Sequence, residues 1–98
     1  MSEGDACRVD LWLWRARFFK TRTLAAEFVE KRRVRVTRNG QEHRLDKRAR
    51  PVRVGDRLVF ALGGRVVAVV VEGLGERRGP AEEARTLYST LEMDEGAG

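Results

Sequence analysis

Seventeen arginines and three lysines (Lys20, Lys31 and Lys47) are the side chains whose type and placement bear most on chemistry in this 98-residue chain. They are not spread evenly. Residues 8–57 hold 16 of the 20 cations and 6 of the 15 carboxylates, a net charge of +10, whereas the segments on either side are net acidic and bring the total to +5. A charge that segregates along a chain can make one coherent positive surface, and such a surface attracts a polyanion. Arginine suits such a surface, because its planar fork of donors matches phosphate oxygens two at a time and its flat head stacks on bases. The residues that would support covalent or metal chemistry are sparse. His43 is the single histidine and Cys7 the single cysteine, so neither a Cys/His metal cage nor a Cys–His nucleophile pair with local spacing is in sight. Neither common glycine-rich phosphate loop occurs, and Gly63-Gly64 and Gly73-Leu74-Gly75 read as turns. No catalytic residue, metal or cofactor is expected.

The elements that must position these cations follow from periodicity. After Asp10, a possible helix cap, comes an apolar stretch in which Val9, Leu13 and Ala16 fall on one helical face with Trp12 and Phe19 on its flank. Lys20-Thr21 breaks the pattern, and Thr21 suits the cap of a second helix over 22–31. There Leu24, Ala25, Phe28 and Val29 form an apolar stripe. Two short helices with a joint of one or two residues make an αα-hairpin. From Val34 the period changes to two, as Val34 and Val36 alternate with arginines. Asn39-Gly40 is a strong hairpin dipeptide, since both residues tolerate positive φ. Residues 43–50 read as polar and irregular. Leu58, Phe60 and Leu62 alternate as a strand, and Val66–Val71 is a β-branched run that calls for burial in a sheet. Pro80, with Glu82 and Glu83 behind it, starts a third helix predicted over 81–92, with Ala84, Leu87, Tyr88 and Leu91 as its apolar side.

The fold class is therefore α+β: a small domain with an αα-hairpin on a short antiparallel sheet and a C-terminal helix. The expected organisation is a flexible leader (1–7), a core domain (8–72), a loop and docked helix (73–92) and a loose acidic tail (93–98). Hydrophobic residues make up 42% of the chain, enough for a core. The longest mostly apolar run, Arg65–Val71, is far too short to span a bilayer. These features point to a cytoplasmic protein with no membrane partner. Nothing in the pattern demands a stable oligomer, so a monomer is expected.

Arg8-Val9-Asp10, Leu13, Thr21-Arg22, Ala25, Val29, Val34-Arg35-Val36 and Val54-Gly55-Asp56 with Leu58 resemble the S-four-type RNA-binding domain, in which a helix hairpin on a short sheet presents RNA-binding residues. The run Trp12–Arg22, with Glu76–Ala81 and Leu87-Tyr88, is similar to a family of ribosome-associated heat-shock proteins. That resemblance implies binding to ribosomal RNA of the large subunit while it still holds a nascent chain on tRNA, with tRNA as a further partner, and a role in recycling such subunits after heat stress. It implies no small-molecule substrate. With the charge pattern it selects Arg8, Arg17, Lys20, Thr21, Arg22, Lys31, Arg32, Arg33, Arg35, Lys47 and Arg50 as RNA-contacting residues, Arg22 and Arg33 foremost. Two other classes stay open: the RNA-binding module of an rRNA-modification system, and a general nucleic-acid protein, since positive charge alone fits duplex DNA as well as RNA.

Overall fold

Seven residues suffice for the first helix because it is locked at both ends. The computed structural model describes residues 5–32 and 34–91, and of Arg32 the backbone alone. Helix α1 (Val9–Arg15) buries Val9, Asp10, Trp12 and Leu13. Asp10 is not its cap: Arg8 holds that position, without a side-chain cap bond. The first amides of α1 are satisfied from a distant loop instead, Val9 N donating to the Arg50 carbonyl at 2.8 Å and Asp10 N to that of Arg48 at 3.3 Å. Asp10 lies in the first turn, where the helix dipole favours a carboxylate, and accepts from Arg8 Nε and Nη2 at 3.1 and 2.9 Å.

The joint between the helices is longer than two residues, running over 16–21. Arg17 adopts φ 66°, and its amide and that of Phe18 bond back to Trp14 and Leu13, each at 3.0 Å. This is a Schellman end with arginine where glycine usually sits. The left-handed conformation costs a residue with a Cβ about 1–2 kcal/mol. Packing of the next residue offsets it: the Phe18 ring centroid lies 4.9 Å from that of Tyr88, 5.4 Å from Phe60 and 6.2 Å from Trp12. Helix α2 (Arg22–Arg32) then begins at the expected cap, Thr21 Oγ1 accepting from Leu24 N at 3.0 Å. It buries Ala25, Ala26 and Val29.

The strands are β1 (Cys7–Arg8), β2 (Val34–Arg38), β3 (Gln41–Leu45), β4 (Pro51–Val52), β5 (Arg57–Leu62), β6 (Arg65–Val71) and β7 (Tyr88–Thr90). Five of them form an antiparallel sheet in the order β3-β2-β5-β6-β7, and β1 pairs with β4. Asn39-Gly40 makes the β2–β3 turn with φ 54° and 78°. That turn fixes the register, so the polar segment through Leu45 is drawn into a strand after all; its charged side chains suit an exposed edge. The core lies between the hairpin and the inner face of the sheet, where Val34, Val36, Leu58, Phe60, Val69 and Val71 meet Trp12, Leu13 and Val29.

Two further expectations change. Cys7, assigned to the leader, is buried and paired with Val52 in β1. The C-terminal helix is one turn, α3 (Ala81–Ala84), followed by a 3₁₀ turn over Arg85–Leu87 and then β7, rather than a helix to residue 92. Tyr88, Ser89 and Thr90 are indifferent helix formers, and the β-branched edge of β6 offers them a ladder: Val71 faces Tyr88, Val70 faces Ser89 and Val69 faces Thr90. The spacing of Ala84, Leu87 and Tyr88 is met equally by a turn that delivers Tyr88 onto Phe18. The acidic tail lies outside the described residues. Among the described residues no helix is long and apolar enough to cross a membrane.

Candidate nucleic-acid interface

A strap organises the cations. The loop over 46–50 supplies the carbonyls that hold the start of α1, and its Arg48 guanidinium makes a two-pronged bond to Glu30 on α2, at 2.9 and 3.0 Å. One segment thus ties the N-terminal end of α1 to the C-terminal part of α2. It carries Lys47 and Arg50, both exposed, to the hairpin. Lys20, Arg22 and Lys31 are also exposed. No hydrogen bond or ion pair to the protein's own groups engages the heads of these five side chains among the described residues. Lys20 and Arg22 bracket the start of α2, whose first turn holds no acid. Cations there add to the positive end of the helix dipole instead of neutralising it, which concentrates positive potential where an anion would dock.

Other predicted contacts are partly engaged. Arg8 grips buried Asp10, and Arg35 lies 3.5 Å from Glu42 with both side chains exposed. Arg17 is exposed, yet its Nε donates to the Gly79 carbonyl at 2.7 Å. The Thr21 hydroxyl caps α2. Arg33 and the side chain of Arg32 lie outside the described residues. Across β2 and β3, Arg35 stands directly opposite Arg44. A like-charged pair directly opposite is destabilising, and Glu42 beside Arg35 offsets part of that repulsion.

A second group of arginines serves the fold. Arg15 donates to the Leu74 and Gly75 carbonyls at 3.3 and 2.8 Å. Arg78 donates to those of Trp14 and Phe19 at 3.1 and 3.2 Å and lies over the Trp14 ring. Together with Trp12 Nε1, which donates to Gly73 at 2.8 Å, they stitch the 73–79 loop to α1. Arg38 makes a fork to Asp56 at 2.9 and 2.7 Å. Sequence reasoning missed the Glu30–Arg48 strap and the Arg38–Asp56 fork, each linking residues 18 apart in sequence, because no local pattern marks them. Burial pushes the Cys7 thiol up, which argues against a nucleophile there.

The strap has a pH signature. The Arg48 guanidinium holds the Glu30 carboxyl below its ordinary value of 4.5. A lowered carboxyl pKa adds stability above the ordinary value and loses it as pH falls through the folded-state value. On acidification, the Glu30 side-chain carbon and the Arg48 amide should titrate together by NMR, with a midpoint under 4.5. A midpoint at or above that value would mean the strap is open in solution.

Residues 7–58 match the S4 domain. The chain is 41% identical over 84 residues to heat shock protein 15 of Escherichia coli K12, covering 83% of this chain and 57% of that protein. It is 35% identical over 87 residues to the RQC P-site tRNA stabilizing factor of Listeria innocua, covering 89% of this chain and 88% of the relative. A structure of Vibrio cholerae heat shock protein 15, solved as a trimer, matches with a TM-score of 0.75 and 34% identity over 89% of this chain and 83% of that one. The chain thus spans little more than half the length of its Escherichia coli relatives.

Proposed function

Since the chain belongs to the S4 domain family, we propose that it is a non-catalytic RNA-binding protein of the cytoplasm that docks its helix hairpin on structured RNA of the ribosome. The observation that carries this reading is the division of labour among the cations. Arg15, Arg38 and Arg78 are committed to the fold, while Lys20, Arg22, Lys31, Lys47 and Arg50 keep their heads in solvent around one strapped hairpin. Arg32 and Arg33 follow Lys31 in sequence and belong to the same proposed set, with Arg8, Arg17, Thr21 and Arg35 at its margin. A-form RNA hides its base edges in a deep groove, so such contacts grip backbone and shape.

We further propose that the target is a large subunit retaining a nascent chain on tRNA, bound so that stalled subunits are recycled under heat stress; the relatives' names speak for the heat-shock and P-site tRNA parts of that reading. Two carboxylates outside the domain match have structural roles, Glu72 accepting from Ser89 at 2.7 Å and Glu83 from Arg77 at 2.7 Å, which favours binding over catalysis. Arg22→Ala tests the assignment. It should weaken binding to large-subunit RNA and reduce the log–log salt slope by about 0.7–0.9, while stability moves by less than about 0.5 kcal/mol. Filter binding over a salt series, with duplex DNA as competitor, measures both the slope and the preference for RNA. Unchanged binding would remove Arg22 from the interface, and equal competition by DNA would favour the general nucleic-acid reading.

A further inference from the structure

The hairpin carries one feature that phosphate binding does not use. Phe19, Leu24, Glu27, Phe28 and Lys31 line an open groove of about 250 Å³ on the outer side of α2, below the roughly 300–1,000 Å³ of pockets for drug-sized ligands. Of these, Leu24 is 47% exposed. Phe19 and Phe28 form one wall, their ring centroids 4.9 Å apart, and Phe28 is braced edge-on by Phe60 at 5.8 Å. Glu27, also lining the groove, is exposed and accepts no hydrogen bond among the described residues. Glu27 lies one turn before Lys31 on α2, an arrangement that stabilises the helix slightly, but a carboxylate on this face also weakens its attraction for phosphate, so backbone binding makes no use of it.

We propose that this groove takes a single unpaired nucleobase of the bound RNA, and that Glu27 selects guanine. The proposal rests on the RNA-binding reading above and deepens it. Three observations favour a base over an apolar side chain of a protein partner. The groove is continuous with the cationic face, Lys31 lining it and Lys20 following Phe19 in the chain, so the phosphates flanking an extruded base would meet ammonium groups. Its aromatic wall offers the flat surface on which bases stack, a contact that tolerates any base. Its polar group is an acceptor with two oxygens. Guanine presents two adjacent donors, N1–H and N2–H, that match such a pair. Cytosine and adenine offer one amino group to it, and uracil sets a single donor between two carbonyl acceptors that a carboxylate repels.

The test uses the full chain and a set of RNA stem-loops that differ only in one unpaired position: guanine, uracil or an abasic site. Wild type should bind the guanine form about ten-fold more tightly than the uracil form, within the discrimination a good bidentate pair supplies. Glu27→Gln, which offers one acceptor in place of two, should collapse that preference. Leu24→Ala should weaken both forms toward the abasic level, and since Leu24 is half in solvent the variant should keep its circular dichroism and melting temperature. If instead the three RNAs bind alike and Glu27→Gln tightens all of them equally, Glu27 acts only by repelling phosphate and the base site is refuted while RNA binding stands. If wild type binds none of them and Arg22→Ala changes nothing, the RNA-binding reading fails with it.

Discussion

Raising monovalent salt from about 50 to about 200 mM should weaken RNA binding by between about 250-fold and about 2,000-fold. About six neutralised phosphates give a log–log slope between roughly −4 and −5.5. Lys20, Arg22, Lys31, Lys47 and Arg50 supply most of that number, with the sequence-adjacent Arg32 and Arg33 beside them. The arginines already facing a carboxylate, Arg8, Arg35 and Arg48, should add less, because a phosphate must displace the internal partner before the contact counts. The expectation therefore tests the sorting of cations and not merely their abundance. All 16 cations of the basic segment acting at once would give a slope between about −11 and about −14. A slope shallower than about −2 would mean that the hairpin face is not the main point of contact.

Trp12→Ala should cost about 3–5 kcal/mol, a large part of the 5–15 kcal/mol that holds a typical domain together. Trp12 has no exposed surface. Its ring meets Phe18 and Tyr88 at centroid distances of 6.2 and 6.4 Å, and its indole N–H reaches across to Gly73 at 2.8 Å. Removing it opens a cavity beneath β7 and releases the 73–79 loop at the same time. Trp12→Phe keeps much of the volume and loses only the indole bond, so it should cost about 1–3 kcal/mol through the stranded Gly73 carbonyl. Urea unfolding read at constant slope separates the two variants. A loss below about 1 kcal/mol for Trp12→Ala would show that the loop, the last strand and α1 do not share one core.

How far the sequence could be read depended on whether a signal was local. The α2 cap at Thr21 and the Asn39-Gly40 turn were legible because each is a short pattern with its own mechanism, and the alternation at Val34–Val36 and Leu58–Leu62 set the sheet. The last helix was overextended because the spacing of Ala84, Leu87, Tyr88 and Leu91 suits a helical face, while the competing ladder on β6 is a tertiary fact invisible in a window. Arg17 shows the same limit. Nothing in the sequence marks an arginine for a left-handed helix end; the packing of Phe18 imposes it. For the proposed site, charge clustering singled out a segment but not which heads are free, since that depends on carboxylates such as Glu30 and Asp56 that arrive from elsewhere in the chain.

With RNA bound as proposed, the facing of Arg35 and Arg44 across β2 and β3 would couple occupancy to lifetime. An anion laid over that pair would relieve the part of the repulsion that Glu42, 3.5 Å from Arg35, leaves uncompensated, so the bound form would be the harder one to unfold. Abundance in a cell would then track the supply of binding sites: molecules without a target would open more often and be the first that proteolysis removes.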